Sequence, residues 1–268
     1  MSEHTCRPCP VCNNSLRSLM RPIETVEGIL RQQCMKCEAI FFEKPIYDLP
    51  LYDSDYNRYF LNAGDIAKAG IMAAKLGWFC KKNLKDPKIF EAGLGNGLTA
   101  WLLKKQGFFV EGIDLDMRWC NELMEELNMS VYTGKFEKWA APYAYDLIYS
   151  SHVIEHTENV LGFMRKAYEI LNPEGFFWLE TPDVHFCDND PLRWHHFATR
   201  NSFEHLCLLG CTSIDRLAEK VGFTVVDIER QFKFQSLRAI LKKSNKNRYE
   251  ALKDVKIDQE RYRSTEAH

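Results

Sequence analysis

Residues 87–116 read PKIFEAGLGNGLTAWLLKKQGFFVEGIDLD, and the architecture of the chain is decided inside that stretch. Lys88-Ile89-Phe90-Glu91 has the character of a short buried strand. Gly93, Gly95 and Gly97 follow at alternate positions, and a helical pattern resumes from Leu98 to Lys105. A strand, a glycine turn and a helix in this order bring bare backbone up to a ligand and aim the helix's unpaired N–H groups at it. A second strand over 110–114 ends on Asp114, a carboxylate suited to accept both hydroxyls of a ribose. The dinucleotide fingerprint G-x-G-x-x-G needs its third glycine where Leu98 stands, so this turn does not carry it.

The pattern present is E-x-G-x-G-x-G, and with it the chain resembles the class I S-adenosylmethionine-dependent methyltransferases, whose first motif it matches at Glu91, Gly93, Gly95 and Gly97. The resemblance implies an α/β fold, a Rossmann-like seven-stranded sheet with helices on both faces, and S-adenosylmethionine as cofactor. It implies cofactor contacts at those residues, at Asp114 and Leu115, and at the backbone after Ser150. It also sets Phe136, in Gly134-Lys135-Phe136-Glu137, against the adenine, although Lys135 replaces the acid usual there. A purely structural strand-to-helix turn and an ordinary buried Phe136 are the competing readings.

A fourth strand over 145–150 runs into Ser151-His152-Val153-Ile154-Glu155-His156, similar to the family's fourth motif. Ligands of doubly wound sheets bind beyond the carboxyl ends of the strands, so this segment is expected to face the transferred methyl group. An acceptor nucleophile with a tightly held proton needs a base, and imidazole titrates near neutrality. His156 is the first candidate, then His152 and His196, with Glu155 orienting an imidazole or holding substrate. The alternative for His156 is a satisfied histidine that fixes the strand-to-helix corner. Metal ligation by His152, Glu155 and His156 is open to the spacing, but a sulfonium donor needs no metal.

Ahead of this domain, Cys9-Pro10-Val11-Cys12 and Cys34-Met35-Lys36-Cys37 form two C-x-x-C knuckles, each able to deliver two thiolates to one tetrahedral zinc. Four thiolates leave no open position, so the expected zinc is structural, and a module this small depends on it for stability. Cys6 lies at the same spacing before Cys9 and competes for the first knuckle. The chain has ten cysteines, but their pairing in knuckles and an N-terminus without a signal-peptide core favour metal over disulfides and a cytoplasmic location. With 35 basic against 37 acidic residues, the balance argues against a broad nucleic-acid or anionic-membrane surface, and no apolar run spans a bilayer.

The remaining chain divides by pattern. Residues 1–46 read as the zinc-ribbon-like module, 47–86 as a connector or lid with a helix over 65–82, 87–240 as the methyltransferase domain and 241–268 as a charged tail. Tyr52, Tyr56 and Tyr59 in the connector either cover the ligand cleft or pack the module onto the domain. A helix is expected over 118–127 and a strand over 130–132. A turn over 172–175 leads into a strand over 176–180. Farther on come a helix over 213–221, a strand over 223–227 and a last strand over 232–240. The insertion 188–205, with Arg193, Trp194, His195, His196 and His205, suits a substrate loop or a surface connection.

The expected reaction is methyl transfer to a small-molecule or sugar/glycan acceptor. The front half resembles zinc-bearing sugar C-methyltransferases, whose further C-terminal domain is missing from this sequence. Ribosomal-RNA base methyltransferases with a zinc module, and a non-catalytic zinc-ribbon docking protein on the same scaffold, are the alternatives.

Overall fold

In a computed structural model the described residues are 6–26, 29–44, 63–116, 121, 125, 128–186, 204–231, 235–246, 248–252 and 255–257. A 3-10 turn (Arg17–Leu19) opens onto three short strands, β1 (Met20–Val26), β2 (Ile29–Cys34) and β3 (Ile40–Phe42). After α1 (Ala63–Asn83) come β4 (Lys88–Ala92), α2 (Leu98–Lys105), β5 (Phe109–Asp114), β6 (Ser130–Thr133) and β7 (Tyr145–Ser151). Then follow α3 (Val160–Ile170), β8 (Leu171–Pro182), β9 (Cys207–Leu208), α4 (Cys211–Val221), β10 (Phe223–Gln231), β11 (Ser236–Lys243) and α5 (Arg248–Leu252). Among the described residues no helix is long and apolar enough to cross a membrane.

Seven strands form one sheet in the order β10-β11-β8-β7-β4-β5-β6. Strands β6, β5, β4, β7 and β8 run parallel, while β11 is antiparallel to both β8 and β10. Strand side chains alternate between two cores because successive residues point to opposite faces. Ile89, Leu147, Phe176 and Trp178 pack with Met72, Leu76 and Phe79 of α1 and Leu103 of α2. Phe90, Ile148, Phe177 and Leu179 pack with Phe163 and Met164 of α3 and Leu217 of α4. Burial on both faces explains the near-continuous apolar runs of the central strands. The expected seven-stranded Rossmann-like sheet, helices on both faces, is the one observed.

The strand order reverses between β4 and β7, which leaves a crevice beyond their carboxyl ends at the switch point. Element bounds differ from the sequence reading mainly where turns sit inside strands. The turn expected over 172–175 is taken up into β8, where Glu174 adopts φ 66° and its carboxylate meets Lys242 Nζ at 2.9 Å. The last strand is described from Ser236 and runs on to Lys243, past the expected end at 240, while 232–234 lie outside the described residues. Only positions 121 and 125 of the helix expected over 118–127 are described, both helical, and the tyrosines Tyr52, Tyr56 and Tyr59 lie outside the described residues.

The smaller sheet has the order β1-β2-β3-β9. Strands β1 and β2 are the hairpin between the two cysteine knuckles, and β3 then pairs antiparallel with β9, Ile40 opposite Leu208 and Phe41 opposite Cys207. A strand from sequence position 207 thus completes a sheet begun at position 20. Nothing in the periodicity of a two-residue strand announces that pairing.

Candidate active site and cysteine centre

The glycine turn sits between β4 and α2. Gly93, Gly95 and Gly97 all have positive φ, at 86°, 51° and 66°. A Cβ on Gly93 would lie 2.2 Å from Val153 Cγ2, so the turn closes tightly on the segment that follows β7. Gly95 N–H donates to Asp114 Oδ2 at 2.9 Å, and Asp116 N–H donates to Asp114 Oδ1 at 3.1 Å. The glycine turn and the acid at the end of β5 are therefore in direct contact on the β5 side of the switch point. Glu91 is buried, and burial raises its carboxyl well above the ordinary range against the Ala100 backbone N–H, while the Asp114 charge adds to the rise. Leu115 is exposed beside Asp114. Ser150 is wholly buried and donates to the Ala92 carbonyl at 2.9 Å, tying β7 to β4. The Phe136 ring is committed to the core, stacked on Phe90 at 6.0 Å and packed on Phe163 at 4.8 Å.

β7 ends where His152 turns the chain with φ 55°, its N–H donating to the Glu180 carbonyl at 2.9 Å. A 3-10 turn, Ile154–His156, follows and drives the Glu155 side chain inward until it is fully buried. Glu155 Oε2 accepts from Thr181 Oγ1 at 3.1 Å, and Oε1 lies 3.3 Å from His152 Nδ1 and 3.9 Å from His156 Nε2. Burial opposes ionisation of Glu155, but the His152 hydrogen bond and the nearby imidazole charges outweigh it and hold the carboxyl at about 2. For His152, desolvation opposes the charged form, and the bond and charge of Glu155 more than compensate, so its pKa is raised. The His152 side chain is half exposed, whereas that of His156 is 24% exposed.

A third imidazole arrives from elsewhere in the sequence. His205 is buried, its ring 4.9 Å from that of His156, and burial pushes its pKa down to about 4. Leu206 N–H donates to the Glu155 carbonyl at 2.7 Å, which docks this segment against the turn. Spacing grouped His152, Glu155 and His156; that His205 completes the group depends on the chain's return through β9. His196, together with Arg193, Trp194 and His195, lies outside the described residues.

A sequence profile described as "Methyltransferase domain" matches residues 66–228, well over half of the chain. The chain belongs to the methyltransferase domain family. Within it, the chain is 29% identical over 104 residues to a ubiquinone biosynthesis O-methyltransferase of Rickettsia bellii, a match covering 37% of this chain and 43% of that one. The aligned part is thus under half the length of that curated relative.

Solved structures agree on the methyltransferase fold. The CcbJ methyltransferase of Streptomyces caelestis superposes with a TM-score of 0.51 at 15% identity, covering 64% of this chain and 89% of that one. A TehB-like S-adenosylmethionine-dependent methyltransferase of Corynebacterium glutamicum gives 0.50 at 18% identity, covering 67% and 93%. The fold implied by the first motif is therefore the fold of this methyltransferase domain.

The N-terminal knuckles converge. The four Sγ atoms of Cys9, Cys12, Cys34 and Cys37 lie within 4.8 Å of one another, with Cys9–Cys37 and Cys12–Cys34 each at 3.5 Å. Cys6 is apart, its thiol donating to the Ser15 carbonyl at 3.4 Å. A tetrahedral ion with bonds of about 2.3 Å sets its sulfurs roughly 3.8 Å apart, so the cluster fits zinc. The Cys37 hydrogen bond lowers Cys9 to about 6, and burial raises Cys34 to about 11.

The residues that seat this cluster went unnoticed in the sequence. Cys37 is followed by Glu38 at φ 68°, whose Oε2 accepts Thr212 N–H at 3.2 Å and meets His185 Nε2 at 3.2 Å. Ser213 Oγ donates to the Cys37 carbonyl at 2.5 Å and Lys220 Nζ to the Val11 carbonyl at 2.6 Å. Helix α4 thereby grips both knuckles. A lone Glu after a C-x-x-C pair gave no signal of this.

Proposed function

We propose that the chain is an S-adenosylmethionine-dependent methyltransferase acting on a small-molecule or sugar acceptor through a hydroxyl oxygen. The observation that carries the cofactor assignment is the 2.9 Å bond between Gly95 N–H and Asp114 beside the switch point, which joins the glycine turn to the acid proposed to bind the ribose. When bound, S-adenosylmethionine would supply a methyl group carried on a sulfonium, activated for transfer to an acceptor oxygen.

The protein's part is placement and proton removal. Asp114 takes the ribose hydroxyls, Gly93, Gly95 and Gly97 keep the turn close, and Glu91, Leu115, Phe136 and Ser150 form its supports and walls. His152 is the residue proposed to take the acceptor's proton. It is the half-exposed imidazole of the group, and Glu155 beside Nδ1 fixes its tautomer, leaving Nε2 to act as base. Glu155 is then a positioning residue. This ranks His152 ahead of His156, whose Nδ1 is engaged by the Glu204 carbonyl at 2.9 Å and whose Nε2 faces Glu155. The oxygen acceptor is supported by this proton-accepting pair and by the ubiquinone O-methyltransferase relative. Cys9, Cys12, Cys34 and Cys37 are proposed to hold a structural zinc.

Calorimetric titration of S-adenosylmethionine into wild type and Asp114→Ala, with transfer of labelled methyl to the small-molecule fraction of an extract, tests the reading. Loss of charge-assisted bonds of roughly 1.5–3 kcal/mol predicts about 10–100-fold weaker binding in the variant. Equal affinity in the two proteins refutes the cofactor site. Label appearing only in RNA refutes the acceptor class.

A further inference from the structure

We infer that Glu155, His156 and His205 form a second cation site, for a divalent first-row transition metal held by one carboxylate oxygen and two imidazole nitrogens beside the acceptor. The inference deepens the function proposed above, since it rests on the acceptor lying at this edge of the sheet. Their ligand atoms lie within 4.8 Å of one another, although the residues come from a turn and from a segment some fifty positions later.

Glu155 and His156 are each oriented by a partner on the far side. His156 Nδ1 lies 2.9 Å from the Glu204 carbonyl. A carbonyl only accepts, so Nδ1 carries the proton and Nε2 presents its lone pair on the side facing Glu155. Glu155 is held through Oε2 by Thr181, while the buried Oε1 faces the imidazoles of His152 and His156. His152 lies 3.3 Å from that same oxygen, and a carboxylate oxygen has lone pairs for both an imidazole and an ion. The Leu206 N–H bond to the Glu155 carbonyl fixes the segment that carries His205. Metal-binding histidines and carboxylates are characteristically held by such outer bonds.

The donor set selects the ion. Two imidazoles and a carboxylate suit manganese, iron, cobalt or zinc, whereas calcium and magnesium take oxygen ligands. Three protein ligands leave positions open for a water or an acceptor oxygen, and a cation there lowers the pKa of a bound hydroxyl. The site would thus ease the proton transfer assigned to His152.

The test uses the full chain with its cysteines intact and manganese(II) as probe, since a hard ion does not compete for the thiolate cluster. Paramagnetic resonance of free manganese reports binding, calorimetry reports S-adenosylmethionine affinity on the same samples, and circular dichroism checks folding. Wild type is expected to bind a single manganese per chain. Removing an outer partner in Thr181→Val should weaken it about tenfold or more, and Glu155→Gln and His205→Gln by at least as much. His152→Asn should bind as wild type does. No manganese binding by wild type, unchanged binding in a folded His205→Gln, or loss in His152→Asn as complete as in Glu155→Gln would each overturn the site. Where Glu155→Gln does not fold, Thr181→Val and His205→Gln decide. S-adenosylmethionine binding without manganese binding removes this inference and leaves the proposed function standing; the reverse result removes the function and leaves the metal site.

Discussion

Gly93 and Gly95 have similar backbone strain but different surroundings. At Gly93 a Cβ meets Val153 at 2.2 Å in addition to adopting φ 86°, whereas at Gly95 it meets nothing within 4 Å and bears only the cost of φ 51°. Gly95→Ala should therefore cost about 1–2 kcal/mol, the left-handed penalty alone. Gly93→Ala should cost a further 1–3 kcal/mol or so of overpacking. Urea denaturation of both variants checks the order, and a less stable Gly95→Ala would contradict the tight closure on Val153. Glu91 gives a second prediction at this scale. Its folded pKa lies well above the ordinary 4.5, so the stability it contributes is complete below that value and is lost as pH rises through the folded pKa. Glu91→Gln should flatten the fall in melting temperature with rising pH in the window above 4.5. An unchanged slope would mean the carboxyl ionises freely in the folded protein.

Helix α4 is the element on which the small sheet depends. Its first turn holds Glu38 and the Cys37 carbonyl, its last turn reaches Val11 through Lys220, and Gly222 at φ 99° ends it cleanly. The grip fails if the knuckles open, because the carbonyls and the carboxylate it binds belong to the cysteine loops. Stripping the proposed zinc with a strong chelator should thus release the N-terminal residues to protease while S-adenosylmethionine binding persists, since Asp114 and the glycine turn belong to the other sheet. Limited proteolysis read by mass spectrometry, with calorimetry alongside, measures both. An N-terminal segment equally protected after metal loss would dismiss a structural zinc.

Across the whole molecule, local signals and long-range closure divide the work. The seven-stranded sheet was readable because each βα unit carries its own evidence: apolar runs for strands buried on both faces, glycines where backbone must turn, an acid where a strand ends. The four-cysteine cluster was readable for the same reason, as each knuckle is a local bend. What the periodicity could not supply is contact between distant segments. β9, two residues long, joins the domain to the first sheet, and the return of the chain there is what carries His205 to Glu155 and His156. Phe136 points the same way, since its ring is taken up by Phe90 and Phe163, partners drawn from a strand and a helix remote in sequence. The amino-acid order by itself determined the strands, the glycine turn, Asp114 and the paired knuckles, because propensity, polarity and spacing act over a few residues. Which imidazoles gather around the buried carboxylate, and what grips the knuckles, was left to the tertiary structure, because those pairings exist only once separate segments are packed into one core.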